Sequence, residues 1–296
     1  MYPPVDPIIF ELGPFAVRWY GLLIMTGILA ASFVAAQYVE RKGEDGNNIW
    51  DMLFWVLIPG LIGARLYYVF IQSPRGPEGL ERYLNNPIEI LQLWRGGLHI
   101  FGGFVFGALG LIAYARWKNL PLPVYLDGIG LGLLLGQAIG RQANFINQEL
   151  YGPPINAAWG LIIDPEHRLP PYNNLLLYPE DTRFHPLFLY ESVWNFIGFG
   201  LLFWISRRYS ERLRPGDLAL MYLFWYPFGR FFIEFLRTDS WFFPGTPFNV
   251  VHLLSFAAFS SALVLLYLRH RPGAAGPVPV AVANNEDSNV EQPRQA

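Results

Sequence analysis

The chain has 296 residues, 53% of them hydrophobic and only 15% charged, with a formal net charge of −2. Soluble domains carry about 25% charged residues, so a well-solvated globular surface is excluded, and the near-neutral balance offers nothing to nucleic acid. Cysteine is absent, which excludes disulfides, thiolate metal sites and an enzyme-borne cysteine nucleophile.

A helix that crosses hydrocarbon needs about 20 predominantly apolar residues. Seven segments are predicted to do so: 15–36, 50–71, 100–117, 124–140, 187–206, 218–236 and 249–268. The fold expected is all-α and polytopic. The third and fourth spans are short and rich in glycine, which predicts central, close-packed positions. The start Met1-Tyr2-Pro3-Pro4 lacks a basic n-region, so the first span is expected to be retained.

Basic residues follow alternate spans: Arg41 and Lys42 after the first, Arg116 and Lys118 after the third, Arg207, Arg208, Arg212 and Arg214 after the fifth, Arg269 and Arg271 after the seventh. The positive-inside bias puts these ends in the cytoplasm and the N-terminus, with Asp6 and Glu11, outside. Loops 72–99, 141–186 and 237–248 then lie outside. Residues 1–271 form one seven-span domain, and the Pro/Ala/Asn/Glu-rich segment 272–296 is expected to be a disordered cytoplasmic tail.

An ionisable side chain within a span marks a functional-site candidate. Arg65 sits in "GARLYYVF", Asp127 and Gln137 in span four, and Arg230, Glu234 and Arg237 in "YPFGRFFIEFLR". The spacing 230, 234, 237 predicts one helical face, with Arg230 about 10 Å below the outer end of its helix at ~1.5 Å per residue. Span four ends in "GRQANFINQELYG", residues 140–152, where Arg141 and Asn144 fall one turn apart. A helix C-cap accounts for one arginine and one asparagine. It does not account for a second arginine, Arg230, at similar depth. Two converging guanidiniums suit a bound phosphate; the competing account is a private ion pair between Arg230 and Glu234.

The stretch "WRGGLHIFGGFVFG", residues 94–107, carries two Gly-Gly pairs, which allow either close backbone approach or an irregular start to span three. His99 lies between them as an interfacial anchor or a catalytic base. His185, in "HPLFLYE", reads as a residue at the start of a helix, before a proline at its first turn.

Taken together, "GRQANFINQELYG", "RWYG", "GARLYY", the double Gly-Gly element, "DGIGLGLLLGQAIGR", "HPLFLYE" and "YPFGRFFIEFLR" resemble the bacterial prolipoprotein diacylglyceryl transferases, in the family's order over residues 18–237. The resemblance implies an inner-membrane enzyme that moves the diacylglyceryl group of phosphatidylglycerol to a lipobox cysteine of a preprolipoprotein. Glycerol phosphate is released, and neither cofactor nor metal is needed. It implies Arg141 and Arg230 as the essential pair, with Asn144, Glu149 and Gly152 shaping the signature loop and Tyr20 and Tyr226 beside it. Asn147, Glu234, Arg237, Gly102 and Gly103 complete the expected substrate contacts. Relatives often carry histidine where this chain has Phe101, so His99 is the candidate to replace it. The rival reading is a non-enzymatic lipid-anion binder or transporter, which would more naturally carry an internal repeat.

Overall fold

A computed structural model describes residues 1–2, 7–12, 15–72, 80–93, 96–243 and 245–273. The expected tail lies, apart from its first two residues, outside the described residues. In chain order the elements are β1 (Ile8–Leu12), β2 (Phe15–Arg18), α1 (Trp19–Arg41), α2 (Asn47–Tyr67), α3 (Glu81–Asn85), α4 (Ile100–Trp117), α5 (Leu122–Gly140), α6 (Gln142–Ile146), β3 (Leu161–Ile162), β4 (Arg183–Phe184), α7 (Leu187–Arg208), α8 (Asp217–Glu234) and α9 (Val250–His270).

Among the described residues the fold is mainly helical, with two small antiparallel strand pairs, the hairpin β1–β2 and the more distant β3–β4. The first hairpin corrects the start of span one. Residues 15–18 pair with 8–12 rather than coil, and α1 begins only where the Trp19 amide reaches the Pro7 carbonyl at 3.1 Å. Among the described residues, six segments are long and apolar enough to cross a membrane: α1, α2 with its π-helical extension to Ile71, α4, α5 with α6, α7 and α9. The seventh long helix, α8, has 18 residues but carries Asp217, Arg230 and Glu234, so apolar length alone does not qualify it. Large apolar side chains such as Phe54, Ile58, Phe104, Phe196 and Leu254 point outward from the bundle.

Of the two glycine-rich helices, only α5 is central. It packs on α1, α7 and α8, whereas α4 packs chiefly on α2 and exposes Phe104 and Leu109. The reason is the spacing of its glycines. Gly128, Gly132 and Gly136 form one stripe at i+4 intervals against Ala35, Ala31 and Gly27 of α1, so close that an added methyl group would press on α1 carbonyls. Gly130, on another face, meets Ala219 and Tyr222 of α8. Small residues thus let three helices approach one axis, as in other membrane bundles. Helices α7 and α8 are joined by Trp194 and Trp225, whose rings stack at 4.3 Å while each indole donates to the other's backbone carbonyl at 3.0 Å.

Buried charges secure both ends. At one, Asp127 accepts from the Gly216 and Ala219 amides at 2.7 and 2.8 Å and so caps the start of α8. Asp217 holds Arg269 at 2.9 Å, tying the end of α9 to the same place. At the other, Arg65 donates to the carbonyls of Glu89, Ile90, Gly96 and Gly97. Asp127 and Arg65, flagged as intramembrane charges, therefore have backbone partners that fix the chain.

Candidate functional site

Helix α5 ends on Arg141, the C-cap expected from sequence, and the chain turns at once into α6. The Gln142 side chain donates from Nε2 to Ser192 Oγ at 2.7 Å, and Ser192 Oγ donates to the Ala138 carbonyl at 2.7 Å. These two bonds register α7 against the α5–α6 junction and bring the preceding residue, Glu191, beside Arg141.

Glu191 is the centre of the cluster. Its Oε2 lies 2.6 Å from Arg141 Nη2 and its Oε1 lies 3.6 Å from Arg230 Nη1, with only 2% of the side chain exposed. Arg230 also pairs with Glu234, one turn along α8, at 2.6 Å. The expected convergence of Arg141 and Arg230 is present, and so is the competing Arg230–Glu234 pair. Neither reading foresaw that a third helix would put a carboxylate between the two arginines. The signal was available: Glu191 is the lone charged residue of 187–206, at the end of "HPLFLYE".

Tyr226 lies within hydrogen-bonding reach of the Arg141 guanidinium, and its ring stacks on Tyr222 at 6.0 Å. Tyr20 stands within electrostatic reach of both Arg141 and Glu149. Asn144 donates from Nδ2 to Glu149 Oε1 at 2.7 Å. The structure therefore brings Arg141, Asn144, Glu149, Tyr20, Tyr226, Arg230 and Glu234 into one region.

Other expected site residues are placed differently. Asn147 ends α6, its amide donating to the Ala143 carbonyl at 3.0 Å. Gly152 is buried against the Leu236 carbonyl and His185. Its amide donates to the His185 carbonyl at 2.9 Å, so it locks the signature loop to the starts and ends of neighbouring helices. Arg237 leaves the face predicted for it, because α8 ends at Glu234. Its guanidinium instead grips Asp239 through two bonds of 2.8 and 2.6 Å. Glu234 faces this same turn, accepting from Ser240 and Asn249 at 2.8 Å each.

The two Gly-Gly pairs divide the alternatives between them. Gly96 and Gly97 adopt positive φ (80° and 72°) and form the irregular start. Gly102 and Gly103 lie inside α4, facing Gly60, Gly63 and Ala64 of α2, which makes them helix-contact residues. His99 is the N-cap of α4, its Nδ1 accepting from the Phe101 amide at 3.4 Å and its ring stacked between Tyr67 and Phe101. The link from His99 to the arginines is its neighbour Ile100, which lines the same cavity as Arg141.

That cavity, about 570 Å³, runs between α1, α2 and α5 from a polar end at Tyr20, Arg141 and Asn144 to an apolar end at Ala35, Ile49 and Met52. It exists because α1 packs on α5 and α2 on α4, so that the first two helices diverge beyond their short connection. Beyond α6, residues 150–188 build a small core of Tyr151, Leu161, Ile163, Phe184 and Phe188. Arg168, buried there, donates to the carbonyls of Ile163, Tyr178, Pro179 and Glu180. Burial pushes the Tyr151 phenol above its ordinary pKa and the His185 imidazole below it.

The family described as prolipoprotein diacylglyceryl transferase matches residues 7–268. The chain is 40% identical to the phosphatidylglycerol–prolipoprotein diacylglyceryl transferase of Chloroflexus aggregans, with 99% of each chain covered. It is 37% identical to the enzymes of the same name from Staphylococcus xylosus, over 90% of each chain, and Streptococcus uberis, over 90% of this chain and 96% of the relative. With Arg141 at one end of an apolar cavity and a match across nearly its whole length, the chain belongs to the prolipoprotein diacylglyceryl transferase family.

Proposed function

We propose that this protein transfers the diacylglyceryl group of phosphatidylglycerol to the thiol of a lipobox cysteine in preprolipoproteins, at the outer leaflet of the bacterial cytoplasmic membrane. In this reading all seven long helices span, α8 included. Its charges are tolerable there because Asp217 binds Arg269 and because Arg230 and Glu234 face each other and Glu191 rather than lipid. The N-terminus lies outside and the ends of α1, α4, α7 and α9 face the cytoplasm. The catalytic domain occupies residues 1–271, with 272–296 as a cytoplasmic tail.

The observation that carries the proposal is that Arg141, joined to Arg230 through Glu191, closes one end of an apolar cavity. The acyl chains of phosphatidylglycerol fit the inner, apolar length between α1, α2 and α5, and the phosphate meets Arg141 at the outer end with Arg230 behind it. The acceptor sulfur attacks the glyceryl carbon as thiolate, the carbon–oxygen bond breaks, and the electron pair stays on the departing glycerol phosphate. The two guanidiniums, fixed before substrate arrives, stabilise the negative charge gathering on that oxygen. Arginine remains protonated, so neither serves as base. Asn144 and Glu149 form the rim with Tyr20, and His99 caps α4 beside it.

The test is transfer from phosphatidylglycerol to a lipobox peptide by the detergent-purified protein. Arg141→Ala and Arg230→Ala are each expected to lower kcat by about 10²–10³, the range for removing one charge-stabilising donor. Wild-type protein that binds the lipid yet never forms the thioether would overturn the transferase reading in favour of a lipid binder.

A further inference from the structure

The seat proposed for the substrate phosphate is already filled by a side chain. Glu191 presents one oxygen to Arg141 at 2.6 Å and the other towards Arg230 at 3.6 Å, which is the two-oxygen, two-guanidinium arrangement a phosphate would adopt. Neither oxygen makes a well-directed hydrogen bond to a partner among the described residues. The carboxylate is therefore held by charge rather than by fitted donors. Glu234, in contrast, is held on its far side by Ser240 and Asn249. We propose that Glu191 is a positioning residue, the resident counter-anion of Arg141 and Arg230, which keeps the pair assembled when empty and competes with phosphate for it.

This inference rests on the transferase reading and adds what governs turnover at its site. Two buried guanidiniums with only Glu234 between them would repel each other, and Glu191 brings the cluster of Arg141, Arg230, Glu191 and Glu234 to zero net charge. A phosphodiester headgroup carries one negative charge and exchanges with Glu191 ion pair for ion pair. The glycerol phosphate that leaves is a monoester and carries up to two, so the displaced Glu191 carboxylate, still beside the site, repels the product more than the substrate. Binding is thereby weakened where tight binding would slow release.

The experiment uses the full chain in detergent and glycerol phosphate as probe, measured by calorimetric titration and as an inhibitor of transfer. Glu191→Gln is expected to bind glycerol phosphate at least tenfold more tightly, with KM for phosphatidylglycerol and kcat both reduced. Glu191→Asp keeps the charge but is one methylene too short to span both guanidiniums, and shifts in the same direction if Glu191→Gln fails to fold. In the wild type, adding glycerol phosphate should shift a carboxylate infrared band assigned to Glu191 by its loss in a folded variant. Unchanged or weaker glycerol phosphate binding by a folded variant overturns the inference while wild-type transfer stands. A wild type that transfers nothing overturns instead the function on which it rests.

Discussion

Arginine does three different jobs in this molecule, and the partner atoms decide which. Arg65 and Arg168 are each surrounded by four backbone carbonyls, and their charge is spent on holding the connecting segments 89–97 and 163–180 in place. Arg141, which lines the cavity, and Arg230 share the Glu191 carboxylate instead, and it is there that the proposed substrate phosphate would exchange. Arg237, its side chain 15% exposed, grips Asp239 and so fixes the turn that follows α8. Arg65→Ala should therefore cost roughly 3 kcal/mol of stability, since it strips charge-assisted bonds from carbonyls around a side chain 5% exposed. The folded fraction should still transfer at a rate within about twofold of wild type, against the 10²–10³ loss for Arg141→Ala. Thermal unfolding together with rate per folded molecule separates the two classes. A loss of rate without loss of stability at Arg65 would move it into the site.

At the scale of elements, what matters is where helices begin and end. Sequence periodicity ran the face 230, 234, 237 past the end of α8, because nothing local announced that Glu234 would be claimed by Ser240 and Asn249 and the helix stopped there. Histidine at position 99 looked like a replacement base, yet the start of α4 gives it an N-cap's work, with Nδ1 on the Phe101 amide. Asparagine keeps that acceptor. His99→Asn is expected to fold and to retain activity within about threefold, whereas His99→Ala loses about 1 kcal/mol, the usual worth of a cap. Activity of His99→Asn as low as that of Arg141→Ala would restore the imidazole to the chemistry.

For the whole molecule, the decisive feature is the divergence of α1 and α2, which opens an apolar cavity that ends at Arg141, where the proposed acyl chains would lie. Filling its middle tests that joining of greasy length to charged mouth. Ile28→Trp projects bulk into the cavity some distance from Arg141. It is expected to raise KM for long-chain phosphatidylglycerol at least tenfold, to affect short-chain lipid less, and to leave glycerol phosphate binding unchanged. Equal loss with both chain lengths would place the acyl chains elsewhere.

The sequence by itself determined the helical, membrane-suited character of the chain, the candidate spans and the two arginines. Each of these follows from residues close together in the chain: apolar length, a charge within it, glycines at regular steps. It also carried the family resemblance, because the signature around Arg141 is contiguous. Tertiary structure alone decided that α5 rather than α4 is central, since that depends on which helix offers glycines on two faces at once. It decided that Gly102 and Gly103 serve helix contact, and that Asp127 and Arg65 serve the backbone. Above all it placed Glu191, 50 residues beyond Arg141 and 39 before Arg230 by their numbers, between the two guanidiniums. Electrostatic partners act through space at a few ångströms, and only the packing of α5, α7 and α8 brings those three side chains within that distance.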